Sequence, residues 1–240
     1  MNKVSVGGVE LLAVENQQTL VAYLLNNGVL LTGKLIAINA EKIMIYQEDN
    51  EMKRLLEEAE YKYADGISVV CTIRSKYPKY SKIERIAGAD LWERLMAELG
   101  ECCLPVFLVG SSEDTLQATA MKLQEWQVKV VGTQNGYFAK EQEEEIIRRI
   151  KASGAKFISV AMGSPKQEKF MQKAQQLYPD ALYMGVGGTY DVFVGKVKRA
   201  PKCWQNLGLE WLFRILHQPT RWKRQLRLMK YAYFYLTKRL

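Results

Sequence analysis

The chain has 240 residues, enough for one sizeable core or for a main domain with an appendage. With 48% hydrophobic and 25% charged residues it reads as a globular protein, and no apolar run approaches the roughly 20 residues that span a bilayer. The net charge of +8 is concentrated at one end: residues 196–240 hold 12 Lys/Arg against one acid, Glu210, which points to an anionic surface as partner.

In chain order, Val4 to Val14 predicts a β-hairpin turning at Gly7-Gly8. The first ten residues lack the apolar stretch and cleavage site of a signal peptide. Gln17 to Asn27 predicts a helix, Lys34 to Ile38 a buried strand, and Asn39-Ala-Glu41 the start of a helix running to about Gln47. Asp49 to Glu60 predicts a further helix. Around Asp65 the spacing predicts a strand end, a loop and more apolar chain. Gly88-Ala-Asp90 opens a helix to Leu99, and Asp90 and Glu41 read first as helix-start carboxylates.

Pro105 to Val109 is a buried strand, followed by a loop at Gly110 and a helix capped by Ser112. Val128 to Val131 is a strand with its loop at 132–136, and Gln142 to Lys151 a helix. The runs Phe157 to Met162 and Ala181 to Val186 each feed a small-residue turn: Gly163-Ser-Pro-Lys-Gln-Glu168 and Gly187-Gly-Thr-Tyr-Asp191. Strand, loop and helix repeated this way build a ligand site at the carboxyl ends of a parallel sheet. The fold class expected is α/β and Rossmann-like: a mostly parallel sheet with helices on both faces, an N-terminal β-hairpin and a C-terminal basic amphipathic helical appendage. The division expected is a catalytic domain over 1–195 and an appendage over 196–240. In the appendage Trp222, Leu226, Met229, Tyr233 and Leu236 share one helical stripe, with most Lys/Arg off it.

Several chemistries are disfavoured. Four cysteines, Cys71, Cys102, Cys103 and Cys203, contain no Cys-x-x-Cys, which suits a reducing cytosol. One histidine, His217, argues against a histidine-built metal site or a serine triad. Gly185-Val-Gly-Gly188 lacks the third glycine of a dinucleotide fingerprint, that place being Tyr190, and no phosphate-binding P-loop occurs. The absence of any Asp-x-Asp disfavours a sugar-nucleotide enzyme built on that metal motif. No metal and no cofactor is expected. Aromatics among the tail's Lys/Arg suit a membrane interface or single-stranded nucleic acid. The nucleic-acid reading leaves the 163–168 and 187–191 loops without a purpose.

These residues resemble the WecG/TagA/CpsF glycosyltransferases, from about Leu35 through the tail. The resemblance rests on Asn39 in Ala37-Ile-Asn-Ala-Glu41, Ala64-Asp-Gly66, Arg85 with Gly88-Ala-Asp-Leu91, Gly136-Tyr-Phe138, Met162 to Glu168, Gly185 to Phe193, Arg199-Ala-Pro201 and Gly208-Leu-Glu-Trp211. It implies an inverting transferase with Asp65 as the base, and Asn39 and Gln167 on sugar hydroxyls. Tyr137, beside Asn135 and Gly136, and Asp191, beside Tyr190, would contact uridine. Amides at Gly110, Gly163 with Ser164, and Gly187-Gly188 would receive diphosphate. Arg214, Arg221 and Arg224 would complete the site. The stretch Val160 to Trp211 looks most like the members that move N-acetyl-D-mannosaminuronic acid from UDP to undecaprenyl-diphosphate-GlcNAc in enterobacterial common antigen synthesis. Where teichoic-acid members often carry Thr, this chain has Ala37. A uronate carboxylate wants a cation, and Arg85, then Lys166, is nominated. The partners implied are a UDP-sugar, a polyprenyl-diphosphate-GlcNAc acceptor and the anionic inner-membrane surface met by 196–240 on its cytoplasmic side. No nucleic acid is expected, and self-association through the tail stays open.

Overall fold

The computed structural model describes residues 1–206, 210–217 and 222–240, excepting the side chains of 202, 206, 214–217 and 222–225. A small antiparallel ladder of β1 (Lys3–Val6) and β2 (Val9–Leu12) comes first, turning at Gly7 and Gly8, both at positive φ. Helix α1 (Gln17–Leu24) is capped by Asn16 and stops three residues before its predicted end. Asn27 (φ 52°) and Gly28 (φ 77°) turn the chain, and β3 (Leu25–Asn26) pairs with β4 (Val29–Leu30). Two successive left-handed residues favour a hairpin turn over a further helical turn.

The main sheet holds β5 (Gly33–Ile38), β6 (Tyr61–Ala64), β7 (Val106–Gly110), β8 (Val130–Gln134), β9 (Phe157–Ala161) and β10 (Leu182–Gly185), in spatial order β6-β5-β10-β9-β7-β8. Every pairing is parallel, so all six carboxyl ends open on one edge. The expected Rossmann-like α/β architecture is the one observed.

Helices cover both faces because consecutive strand residues point to opposite sides. Ile36, Ile38, Phe107, Val109, Ile158, Val160 and Tyr183 meet the hairpin and helices α2 (Ala40–Glu48), α3 (Asn50–Glu57), α4 (Ile67–Lys76), α7 (Glu143–Ala152) and α8 (Lys166–Leu177). Leu35, Tyr63, Leu108, Phe157, Leu182 and Met184 meet α1, α5 (Gly88–Glu101), α6 (Glu113–Glu125) and α9 (Thr189–Phe193). The chain thus leaves β7 and β10 toward one face and β5, β6, β8 and β9 toward the other. Crevices open where neighbouring strands part in this way, as between β5 and β10.

Three elements differ from the sequence expectation. The β-branched run after Asp65 is helix α4, because Val69, Val70 and Ile73 bury on one face and tertiary packing overrides strand propensity. Strand β8 extends through Gly132: a Cβ there would lie 2.4 Å from the Phe107 ring, so that glycine serves sheet packing rather than a loop. Ser112 stands at the α6 N-terminus, but its hydroxyl donates to Thr115 Oγ1 at 3.0 Å instead of capping.

Toward the C-terminus lie α10 (Lys202–Asn206), α11 (Glu210–His217) and α12 (Trp222–Leu236). Helix α12 rests on α2 and α4 through buried Tyr231, whose hydroxyl shares a 2.7 Å hydrogen bond with Thr72, and through half-buried Leu228 and Phe234. Arg227 and Lys230 reach Glu41 and Glu48. The stripe singled out from the sequence lies on the opposite side: Leu226, Met229, Tyr233 and Leu236 are 53–78% exposed.

Candidate active site

Strands β5 and β6 end in register, Ile38 opposite Ala64, so Asn39 and Asp65 emerge side by side. The Asp65 and Gly66 amides both donate to the Ile38 carbonyl, at 3.0 and 3.4 Å. A Cβ on Gly66 would sit 3.2 Å from Asn39 Cβ, so glycine lets the two turns close on each other. Asn39 caps α2, its Oδ1 accepting from Lys42 N at 2.9 Å; the cap uses only its oxygen.

Asp65 is held from its far side. Its Oδ1 accepts from Gly88 N at 3.0 Å, and Arg85 Nε donates to its carbonyl at 2.6 Å. Arg85 Nη2 stands 3.7 Å from Oδ1 but 3.0 Å from Glu210 Oε2, so its stronger ion pair is with the tail. Glu210 Oε1 lies 3.7 Å from Arg199 Nε, and Arg199 grips Asp90 with both terminal nitrogens. Five charged residues thereby tie the β6 loop and the start of α5 to the tail. These contacts engage Oδ1; none of the described hydrogen bonds reaches Oδ2, on a side chain one-quarter exposed. Burial, then the Asp65 charge, raises the Tyr63 phenol well above its usual range, and its hydroxyl is buried without a partner.

At the centre of the edge, Gln167 is buried rather than presented to solvent. Its Oε1 accepts from Gly187 N at 3.0 Å, and its Nε2 donates to Glu168 Oε1 at 3.1 Å. Glu168 in turn pairs with buried Lys42 at 2.8 Å. Burial presses Glu168 toward its neutral form, but the Lys42 ammonium and the hydrogen bonds outweigh it and hold the carboxyl below the usual range. Ser164 and Lys166 are exposed at the lip.

The glycines here are informative. A Cβ on Gly163, Gly187 or Gly188 would meet nothing within 4 Å among the described residues. Gly163 and Gly187 have positive φ, which explains them. Gly188 has φ −86° and open space around it, so neither conformation nor packing inside the protein calls for glycine there.

On the other side of β9, Gly110 serves the sheet: at φ 110° its Cβ would fall 2.3 Å from the Ala161 carbonyl oxygen. Ser111 follows in the left-handed region (φ 58°), a strained conformation for serine. Thr115 Oγ1 donates to Asp191 Oδ1 at 3.3 Å and accepts from Lys196 Nζ at 2.7 Å, joining α6 to α9. Asn135 Nδ2 donates to Glu113, its Oδ1 accepts from Tyr137 N, and Gly136 N donates to Ser111 O. Tyr137 projects 83% exposed beside a cleft of about 230 Å³ lined by Gln134, Asn135, Phe138, Gln142 and Arg149.

Tyr190 is wholly buried against Trp92, its hydroxyl donating to the Ser159 carbonyl at 3.0 Å, so its side chain packs in the core. Arg214, Arg221 and Arg224 lie outside the described residues and side chains.

The Glycosyl transferase WecG/TagA/CpsF family model matches residues 4–240. The chain belongs to that family. Membership implies a UDP-sugar glycosyltransferase of surface-polysaccharide synthesis with a lipid-linked acceptor. None of the described helices is long and apolar enough to cross a membrane.

For this family member the structure gathers Asn39, Asp65 and Arg85 at one end of the edge, Gly163, Gln167, Gly187 and Gly188 at its centre, and Asn135, Gly136, Tyr137 and Asp191 at the other. Sequence reasoning gave no role to Lys42, Glu168, Arg199 or Glu210, and read Asp90 only as a helix-start carboxylate. Glu210 carried a usable signal, as the single acid in a strongly basic tail.

Proposed function

We propose that this enzyme transfers N-acetyl-D-mannosaminuronic acid from UDP to undecaprenyl-diphosphate-GlcNAc, with inversion at the anomeric carbon. The observation that carries the catalytic part is Asp65: a one-quarter-exposed carboxylate at a strand end, pinned through Oδ1 by Gly88 and flanked by Asn39. Asp65 removes the proton of the acceptor GlcNAc 4-hydroxyl as that oxygen attacks the anomeric carbon and UDP departs. The diphosphate lies against the open turns at Gly163 and Gly187-Gly188, where backbone amides and incoming arginines meet the leaving charge without a metal. Uridine occupies the Tyr137 side of the edge. Ser164 and Lys166 at the lip reach the sugar, and Arg85 reads the uronate when it exchanges Glu210 for substrate. The alternative donor is UDP-ManNAc.

Residues 1–195 form the catalytic domain, and 196–240 an appendage that carries it to the cytoplasmic leaflet. The exposed α12 stripe supports this role, since it is apolar, contiguous and bordered by Lys and Arg. The same observation weakens the nucleic-acid reading, because Arg227 and Lys230 are already paired with Glu41 and Glu48.

The test is transfer from UDP-ManNAcA to a lipid-diphosphate-GlcNAc in vesicles containing EDTA, for wild type and Asp65→Asn. Transfer that collapses in the variant supports the reaction, its metal independence and the base together. Transfer that survives in Asp65→Asn removes Asp65 as base, and a wild type active only with UDP-ManNAc replaces the donor.

A further inference from the structure

The residue at the centre of the edge with the clearest polar chemistry, Gln167, has both ends of its carboxamide committed inside the protein. Oε1 holds Gly187 N at 3.0 Å and Nε2 is held by Glu168 Oε1 at 3.1 Å. A carboxamide can rotate by half a turn with little change of shape. Here the Glu168 carboxylate, an acceptor only, fixes which end faces which way. Glu168 is itself 1% exposed and anchored by Lys42 Nζ at 2.8 Å. Its Oε2 is buried with no partner, so the chain keeps a costly charge at this point. Gly185 adds an independent sign: a Cβ there would lie 2.7 Å from Gln167 Nε2, so β10 gives up a side chain to seat the amide. At the far end of this line, Gly188 faces open space without an internal reason to be glycine.

We propose that Lys42 and Glu168 are positioning residues that lock the Gln167 carboxamide in one orientation, and that Gln167 serves the donor by presenting the Gly187-Gly188 turn rather than by touching a sugar hydroxyl. The relay joins the first turns of two helices to one loop. Lys42 comes from α2, which Asn39 caps, Gln167 and Glu168 from the first turn of α8 after β9, and Gly187 from the turn after β10. It therefore sets the β10 turn relative to the Asn39 and Asp65 strand ends. The proposal rests on the reading that the Gly187-Gly188 turn meets the UDP-sugar.

The experiment uses the full chain with Gln167→Leu and with the paired change Lys42→Met/Glu168→Met. The pair removes both charges at similar volume, a replacement that buried ion pairs often tolerate. Gly187 is followed by its amide resonance in protein labelled with nitrogen-15 glycine, and donor and acceptor kinetics are measured separately. Both variants should move the Gly187 resonance and lower kcat/KM for the donor about ten- to a hundredfold, with acceptor KM unchanged. A folded paired variant with an unmoved Gly187 resonance and wild-type donor kinetics overturns the relay, leaving Lys42–Glu168 a packing pair. A loss that falls equally on donor and acceptor also overturns it. UDP that binds wild type without shifting the Gly187 and Gly188 resonances overturns the donor reading instead, and the unliganded Gly187 resonance still decides the relay.

Discussion

Glu210 offers the sharpest test of how the tail is joined to the catalytic loop. Its side chain is 5% exposed, between Arg85 Nη2 at 3.0 Å and Arg199 Nε at 3.7 Å. Glu210→Gln keeps the shape and removes the charge, leaving two guanidiniums short of a partner. Removing one member of a buried ion pair costs about 3–5 kcal/mol. Both arginines are about one-fifth exposed and keep other acceptors, Arg85 the Asp65 carbonyl and Arg199 Asp90. Solvent and those acceptors bring the expected loss to about 2–3 kcal/mol. For a chain of this size that lowers Tm by roughly 5–10 °C. Arg94→Gln is the control, because its pair with Glu98 lies on the surface of α5 and should cost under about 0.5 kcal/mol. Combining Glu210→Gln with Arg85→Met should give less than the sum of the single losses by about 1–2 kcal/mol. Thermal unfolding followed by circular dichroism reads wild type, the three single variants and the double variant. A Glu210→Gln midpoint within about 2 °C of wild type, matching Arg94→Gln, would refute the claim that this pair fastens the tail.

Three further outcomes follow from individual side chains. Burial pushes the Tyr231 phenol up to about 12 from an ordinary 10.0. The unfolded chain therefore ionises first, and this stabilisation is full below pH 10 and lost as pH rises through about 12. Tyr231→Phe should remove one late phenolate step from the absorbance titration and abolish that alkaline loss. Gly188→Ala should leave Tm unchanged, since φ is ordinary and space is open, yet weaken UDP binding by calorimetry at least about tenfold; Gly110→Ala should do the reverse and cost more than about 3 kcal/mol through its collision with Ala161. Replacing Leu226, Met229 and Leu236 together by Gln should preserve the fold, because all three are exposed, while ending co-sedimentation with anionic vesicles.

What the sequence disclosed and what it withheld divide along a physical line. Alternation of buried strands with helices, and small-residue turns at Gly163 and Gly187, follow from local pattern, and the parallel sheet with its single open edge is a consequence of them. Asn39 and Asp65 were legible for the same reason: each is the residue after a strand. A turn pattern shows where Tyr190 sits in the chain and not which way its ring points; the α9 turn carries the ring to Trp92 in the core. The α12 stripe was found correctly as a stripe, but two stripes compete on that helix, and only the surface of α2 and α4 selects Tyr231 for burial. The charged relays were least legible. Arg85 and Glu210 are 125 residues apart, and nothing in either neighbourhood names the other. Gln167 shows the limit most clearly: the family resemblance implies a sugar contact, whereas in the fold its amide oxygen faces Gly187 and its nitrogen faces Glu168. That choice is made by a carboxylate one residue away, and Lys42, far off in the chain, keeps that carboxylate charged.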